Sequence, residues 1–222
     1  MKKLHWISAD APPEHFPDVA LALDDPPGLL AGGGDLSVPR LLAAYRRGIF
    51  PWYLPGQPVL WWSPDPREVL LPAQFHASRS LLRRLRRGEF RITENQDFPA
   101  VVDGCAADRS GALGTWITPE MRAAYIDLAR RGDAHSIEIW RDGELAGGLY
   151  GVRVGPVFCG ESMFSRRDDA SKAALAHLVG QCPARGITLI DCQLPSAHLR
   201  SLGSQAMPRR EYLSHLAAQS SG

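Results

Sequence analysis

Two neighbouring stretches decide the fold: SIEIWRDGELAGGLYGVR, residues 136–153, and ASKAALAHLVGQCPARGITLIDCQ, residues 170–193. The first predicts a β-hairpin. Ser136–Arg141 and Glu144–Arg153 are strand-like runs, and Asp142-Gly143 between them suits the positive φ angles of a tight hairpin turn. Val157–Cys159 adds a third strand. The second stretch predicts a helix over Ala170–Cys182 that Gly186 closes, because glycine enters the left-handed C-terminal position at little cost. Ile187–Gln193 then reads as a buried strand. Strands followed by a helix and a further strand describe an α/β or α+β domain.

Working outward, Glu68–Leu71 is a short strand, Gln74–Gly88 a helix, Phe90–Thr93 a strand and Pro99–Ala106 a short helix or turn. Thr118–Gly132 is a helix with Thr118 as cap, Pro119 in its first turn, and Met121, Tyr125 and Leu128 aligned. Ser196–Leu202 and Tyr212–Ala218 are short helices. The first 65 residues differ in texture. Prolines and glycines interrupt every run except Val38–Gly48, a helix capped by Ser37. Gly32-Gly33-Gly34 reads as a turn and has neither the GxGxxG nor the GKS/T spacing of nucleotide-binding loops. The aromatics Phe50, Trp52, Tyr53, Trp61 and Trp62 crowd the end of this segment. The division expected is a small α+β unit over residues 1–65 and a larger unit over 66–222.

The 222 residues carry 25 Lys+Arg against 24 Asp+Glu, a formal charge of +1. That balance excludes a protein whose whole surface attracts nucleic acid, yet leaves room for a local basic patch. Four cysteines without a CxxC pair argue against zinc-ribbon and thioredoxin-like chemistry. No apolar run reaches membrane-spanning length, and the amino terminus lacks the apolar core of a signal peptide. A cytoplasmic setting, no membrane partner and no metal are the expectations.

Three clusters carry candidate chemistry. GESMFS, residues 160–165, places Glu161 and two serines at the end of a strand, where open α/β sheets bind ligands; an exposed turn would look the same. DCQ, residues 191–193, ends an apolar strand, and alternation puts Asp191 and Gln193 on one face with Cys192 opposite. Such a pair could orient an amine and a carbonyl, or simply cap the strand. HASRSLLRRLRRGEFR, residues 76–91, aligns Arg79, Arg83 and Arg87 on one helix face, with Arg84 beside them and Leu81, Leu82 and Leu85 behind. This suits phosphates, although a solvated amphipathic face has the same pattern. Trp52, Trp61, Trp62 and Trp116 could stack on bases or belong to the core.

At these residues the chain resembles the leucyl/phenylalanyl-tRNA–protein transferases of bacteria. The resemblance runs in unbroken order through GLLAGGGDLS (residues 28–37), YRRGIFPW (45–52), WWSPDPR (61–67), FHASRSLLRRLRR (75–87), GTWITPEM (114–121), HSIEIW, GGLYGV, FCGESMFS, ASKAAL and LIDCQLPSAHLRSLGS (189–204), nearly the whole chain. It implies a GNAT-like acyltransferase domain with a mixed central sheet flanked by helices, beside a small amino-terminal domain. It further implies transfer of Leu or Phe, and less readily Met, from aminoacyl-tRNA to the α-amine of proteins that begin with Arg or Lys. Proteins so tagged are marked for degradation, and no cofactor takes part.

The resemblance assigns Asp191 and Gln193 to the attacking amine and Glu161 to the basic side chain of the acceptor, with Asp191 able to share that task. A neutral amide is a very weak base, so Asp191 is expected to orient the amine and Gln193 to hydrogen-bond the substrate. The tRNA ribose hydroxyl would move the proton. Trp52 and Trp116 would hold the 3′ adenosine, Met163, Phe164 and Ser165 would border the aminoacyl group, and Arg79, Arg83, Arg84 and Arg87 would grip acceptor-stem phosphates. A monomer suffices for this. One rival is a GNAT-like N-acetyltransferase, but RRDDASK, residues 166–172, lacks the glycines of a pyrophosphate loop and carries two acids. Another is a tRNA-binding module without catalysis, against which the strand-end acids argue.

Overall fold

The computed structural model describes residues 2–108 and 115–218. In chain order the strands are β1 (His5–Ile7), β2 (Leu29–Gly33), β3 (Phe50–Pro51), β4 (Leu60–Trp62), β5 (Arg67–Leu70), β6 (Arg91–Glu94), β7 (Ala134–Arg141), β8 (Glu144–Val154), β9 (Val157–Ser165), β10 (Leu189–Gln193) and β11 (Gln205–Met207). The α-helices are α1 (Val38–Tyr45), α2 (Arg79–Arg86), α3 (Phe98–Asp108), α4 (Pro119–Arg130), α5 (Ala170–Arg185), α6 (Ala197–Ser201) and α7 (Arg209–Ala217).

Seven strands form one sheet in the order β11-β5-β10-β9-β8-β7-β6. Within it β9 and β10 are parallel, joined across α5, and the other pairs are antiparallel. The β7–β8 hairpin turns through Asp142 and Gly143 with φ of 54° and 82°, the double left-handed turn that the Asp-Gly pair favours. Successive strand residues face opposite ways, and the core divides accordingly. Val69, Tyr150, Cys159 and Leu189 join α3 and α4 on one face. Leu70, Leu149, Phe158 and Ile190 join α5 and Leu81 of α2 on the other.

A four-stranded sheet, β1-β2-β4-β3, is drawn wholly from residues 5–62. Here the glycine run departs from the expected turn: Gly32 and Gly33 lie on β2 and pair with Trp6 and Ile7. At Gly33, φ is +86° and a Cβ would lie 2.4 Å from the Ile7 carbonyl oxygen, so close strand approach requires glycine. Trp61 is fully buried and donates its indole N–H to the Gly33 carbonyl at 2.9 Å. Ile7, Tyr45, Phe50 and Trp61 share a single apolar cluster with Tyr125, Tyr150 and Tyr212 of the larger sheet's surroundings, so the small sheet packs against the site.

Local chemistry explains several shifted boundaries. The expected helix from Gln74 divides into a short 3-10 turn, Pro72–Gln74, and α2, which begins where the Ser78 hydroxyl accepts the Leu81 N–H at 3.2 Å. Ser37 occupies the cap position of α1 without a side-chain cap bond; Asp35 instead accepts the Ser37 N–H at 2.7 Å and binds Arg40 at 3.1 Å. Thr118 caps α4 as expected, accepting the Met121 N–H at 3.2 Å. Leu82, expected behind the arginines of α2, is exposed, and Leu81 alone of that helix is buried.

Candidate active site

The parallel pair β9–β10 is in register only from Leu189↔Val157 to Asp191↔Cys159. Beyond that level β9 continues to Ser165 while β10 stops at Gln193. Each strand carries a bulge there. On β9, Gly151 faces Gly160 and Tyr150 faces Ser162, so Glu161 is the inserted residue. On β10, Val69 faces Asp191 and Glu68 faces Gln193, so Cys192 is inserted. Bulges re-aim side chains and end pairing, and a cleft of about 550 Å³ opens between the separated strands.

The longer course of β9 corrects the placement of GESMFS: Glu161 sits within the strand at its bulge, not past the strand's end. Its carboxylate, on a residue 6% exposed, borders the cleft. Tyr125 donates its hydroxyl to Oε2 at 2.6 Å, Gln193 donates Nε2–H to Oε1 at 2.9 Å, and the Tyr45 hydroxyl lies 2.5 Å from that of Tyr125. Burial pushes the Glu161 carboxyl up to about 7. The nearby Asp191 charge acts the same way, while the tyrosine hydrogen bonds and Arg67 oppose the rise. This group therefore changes charge near neutral pH.

Asp191 differs from the expectation. It is 0% exposed, and its oxygens receive Arg67 Nε at 2.8 Å, Arg67 Nη2 at 2.7 Å, the Tyr212 hydroxyl at 2.8 Å and the Gln193 backbone N–H at 2.9 Å. Four donors fill the acceptor positions of a carboxylate, so none remains to meet an incoming amine. The bulge also breaks simple alternation: Gln193 has φ of 64°, and that left-handed turn brings its amide to Glu161. Burial of its thiol holds Cys192 well above the usual range.

The remaining expected residues separate by environment. Trp52 (38% exposed) and Trp116 (8% exposed) both border the cleft. Trp62 steadies Trp52 by an edge-on ring contact of 5.3 Å and an indole N–H donated to the Trp52 carbonyl at 2.6 Å. Met163 joins Phe158, Leu175, Leu178 and Ile190 in an apolar hollow of the cleft. Phe164 also borders the cleft, but its ring packs on the other face, where it would lie 2.4 Å from a Cβ at Gly104. The Ser165 hydroxyl accepts the Ser171 N–H at 2.8 Å and bonds the Ser171 hydroxyl at 2.9 Å, which ties it to the first turn of α5. Asp169, the formal cap residue, has φ of 64°, makes no cap bond, and spends its carboxylate on Lys172 and Arg84.

On α2, Arg79, Arg83 and Arg87 are exposed on one face, whereas Arg84 reaches the Asp168 carbonyl at 3.2 Å and Asp169 at 3.6 Å. Gly114 of the GTWITPEM block lies outside the described residues. Among the described residues no group of three or more His, Cys, Asp or Glu is arranged to hold a metal, and no helix is long and apolar enough to cross a membrane. Arg67, Tyr45, Tyr125 and Tyr212 were missed as site residues. Their sequence signal was that of core aromatics and a strand start, and only long-range packing reveals their polar ends.

With this geometry in view, comparison with known proteins is direct. Residues 69–217 match the family model described as leucyl/phenylalanyl-tRNA protein transferase, and residues 34–65 match the one for that protein's N-terminal domain. A leucyl/phenylalanyl-tRNA–protein transferase of Pseudomonas entomophila is 56% identical over 96% of this chain and 94% of its own length. That of Chromohalobacter salexigens is 56% identical over 96% of this chain and 82% of its own. Among solved structures, a GCN5-related N-acetyltransferase from Kribbella flavida aligns with TM-score 0.41 and 13% identity, over 75% of this chain and 59% of that one. The sequence relationships extend through both sheets and the cleft, and the chain belongs to the leucyl/phenylalanyl-tRNA–protein transferase family.

Proposed function

We propose that this protein transfers leucine or phenylalanine, and less readily methionine, from aminoacyl-tRNA to the α-amine of proteins that begin with arginine or lysine. The observation that carries this reading is the Glu161 carboxylate, nearly buried between an aromatic rim and an apolar hollow and bonded to neutral donors. A cationic side chain gains most from a carboxylate that no cation already neutralises. The splay of β9 from β10 supports reading the larger unit, residues 66–222, as the GNAT-like acyltransferase domain and residues 1–65 as a separate small unit.

The donor is an ester and is already activated. The acceptor's neutral α-amine attacks the ester carbonyl, a C–N bond forms, the C–O bond to ribose breaks, and the ribose oxygen ends with the proton. Because an N-terminal amine has an ordinary pKa of about 7.7–8.0, a strong base is unnecessary and positioning supplies much of the rate. Trp52 and Trp116 take the 3′ adenosine. Met163, Phe158, Leu175 and Leu178 take the unbranched-at-Cβ side chain, and Gln193 hydrogen-bonds the reacting groups. Arg79, Arg83 and Arg87 meet acceptor-stem phosphates, and the product is marked for degradation in the cytoplasm. The acidic loop before α5, with Asp169 already held by Lys172 and Arg84, disfavours a coenzyme A pyrophosphate there.

The test is transfer of labelled Phe from Phe-tRNA to peptides that begin with Arg, Lys or Ala, with and without ribonuclease, and with acetyl-CoA as a rival donor. Ribonuclease-sensitive labelling of the Arg and Lys peptides alone is expected. Labelling from acetyl-CoA, or equal use of the Ala peptide, would overturn the reading.

A further inference from the structure

Among the described residues, the site contains a buried cation that the reaction scheme does not use. Arg67, 1% exposed, forks onto Asp191 through Nε and Nη2, and its Nη1 donates to the Gly48 carbonyl at 3.2 Å. Its guanidinium lies between the rings of Phe50 and Tyr212, 4.6 and 4.7 Å from their centroids. Arg67 thus links the small sheet, the end of β10 and α7 at one point.

We propose that Arg67 is a positioning residue of the transfer reaction: it holds Asp191 fully engaged, and Asp191 in turn holds the left-handed bend that aims Gln193 at Glu161. The proposal rests on the transferase reading. A non-glycine residue in the left-handed region costs about 1–2 kcal/mol and needs a partner to hold it. At Gln193 that partner is Asp191 Oδ1, which accepts the Gln193 N–H at 2.9 Å. An Asp191 released from the fork would turn to other donors and lose this bond.

Charge adds a second consequence. Among the described residues, the groups facing Glu161 are Tyr125 from α4, Tyr45 from α1, Cys159 from its own strand β9, Gln193 and Asp191 from β10, and Arg67 from β5. Without Arg67, two carboxylates would share this site with no compensating cation, and one would keep its proton. Arg67 therefore helps keep Glu161 ionised and available to a cationic acceptor.

The experiment uses full-length Arg67→Gln and Arg67→Lys proteins, the Arg67→Gln/Asp191→Asn double variant and Asp191→Asn alone. For each, kcat and KM for Phe-tRNA are measured with the Arg-started peptide across pH, and folding is checked by thermal unfolding. For Arg67→Gln, kcat falls about 10–100-fold, the scale of misplaced reacting groups. KM for Phe-tRNA changes less than about twofold, because the adenosine and side-chain contacts remain. The acidic limb of kcat moves up by about one pH unit, as loss of a nearby opposite charge requires. Arg67→Lys keeps the limb near its wild-type place and loses part of kcat, since one ammonium cannot fork. The double variant is no worse than the worse single, because the two residues act as one device.

Wild-type kcat with an unmoved limb in Arg67→Gln, or fully additive losses, would overturn the proposal. Should Arg67→Gln fail to fold, Arg67→Lys decides: wild-type kcat overturns, and reduced kcat at unchanged KM supports. Failure of the transferase reading itself is separate, because it would show already in the wild-type protein, as absent ribonuclease-sensitive transfer to the Arg peptide, equal use of the Ala peptide or labelling from acetyl-CoA.

Discussion

The bulge on β9 and the bulge on β10 present two buried carboxylates in opposite states. Asp191, at the β10 bulge, is matched by a bidentate arginine and two further donors. Glu161, at the β9 bulge, receives a phenol and an amide, both neutral, and its carboxyl is pushed up to about 7 by burial. One acid is a completed structural element and the other remains unmatched by a cation of its own. A site that recognises a cationic N-terminal residue needs the second kind. Its geometry also needs the first kind to be held still.

This contrast can be broken at several points. Asp191→Ala should have the largest effect. It leaves Arg67 buried without its partner, which typically costs about 3–5 kcal/mol, and thermal unfolding should show that loss. Transfer of labelled Phe should fall at least about tenfold in the fraction that stays folded, the order expected when reacting groups lose their positions. Near-normal stability and transfer would remove the distinction between the two acids.

Glu161→Gln should act mainly on function. Transfer to the Arg-started peptide should fall about 10–100-fold through a higher KM for peptide, since a charge-assisted contact is lost. Its stability should move the other way with pH. A carboxyl whose folded pKa lies near 7 instead of its ordinary 4.5 holds its proton more tightly when folded. The stability it contributes is complete below 4.5 and is lost as pH rises through 7. The unfolding temperature of Glu161→Gln relative to wild type should therefore be higher at pH 8 than at pH 5. A gap that does not change with pH would place the titration elsewhere.

Tyr125→Phe sharpens the same point with a smaller change. It removes one hydrogen bond to the ionised carboxylate, worth roughly 1.5–3 kcal/mol to that form, and so raises the Glu161 pKa further. The acidic limb of transfer should shift upward while KM for Phe-tRNA holds. The gentlest test lies away from the carboxylates. Charge reversal at Arg83 and Arg87, both exposed on α2, should weaken Phe-tRNA binding and lessen its salt dependence by about two phosphate contacts. It should leave the pH limb in place. Unchanged affinity and slope would make this face an ordinary solvated one.

Much of this was legible in the chain. The β7–β8 hairpin was readable because Asp142-Gly143 accepts a conformation few dipeptides accept. The α4 start was readable because Thr118 and Pro119 act locally. Glu161, Gln193, Trp52 and Trp116 were named as site candidates, and all four border one cleft. Less legible was anything set by two distant segments. Ser165 borders the same cleft, but its second task, tying its hydroxyl to the first turn of α5 where Asp169 makes no cap bond, has no local signature. Gly32 and Gly33 looked like a turn, yet they lie in a strand because β1 needs to pass close by. Arg84 looked equivalent to its neighbours until the loop before α5 took it.

The sequence by itself determined the order of elements from β5 to α6, the Asp142-Gly143 turn and the residue types at the cleft, because those depend on local dihedral preference and on periodicity; the four strands of the small sheet and β11 have no such local signature. Only the tertiary structure decided what each acid does. Arg67 and Asp191 lie 124 positions apart, and Tyr125 and Glu161 lie 36 apart. No local pattern connects such pairs. Whether a buried carboxylate is matched by a cation or left to titrate depends on which donors the folded chain brings within about 3 Å of it.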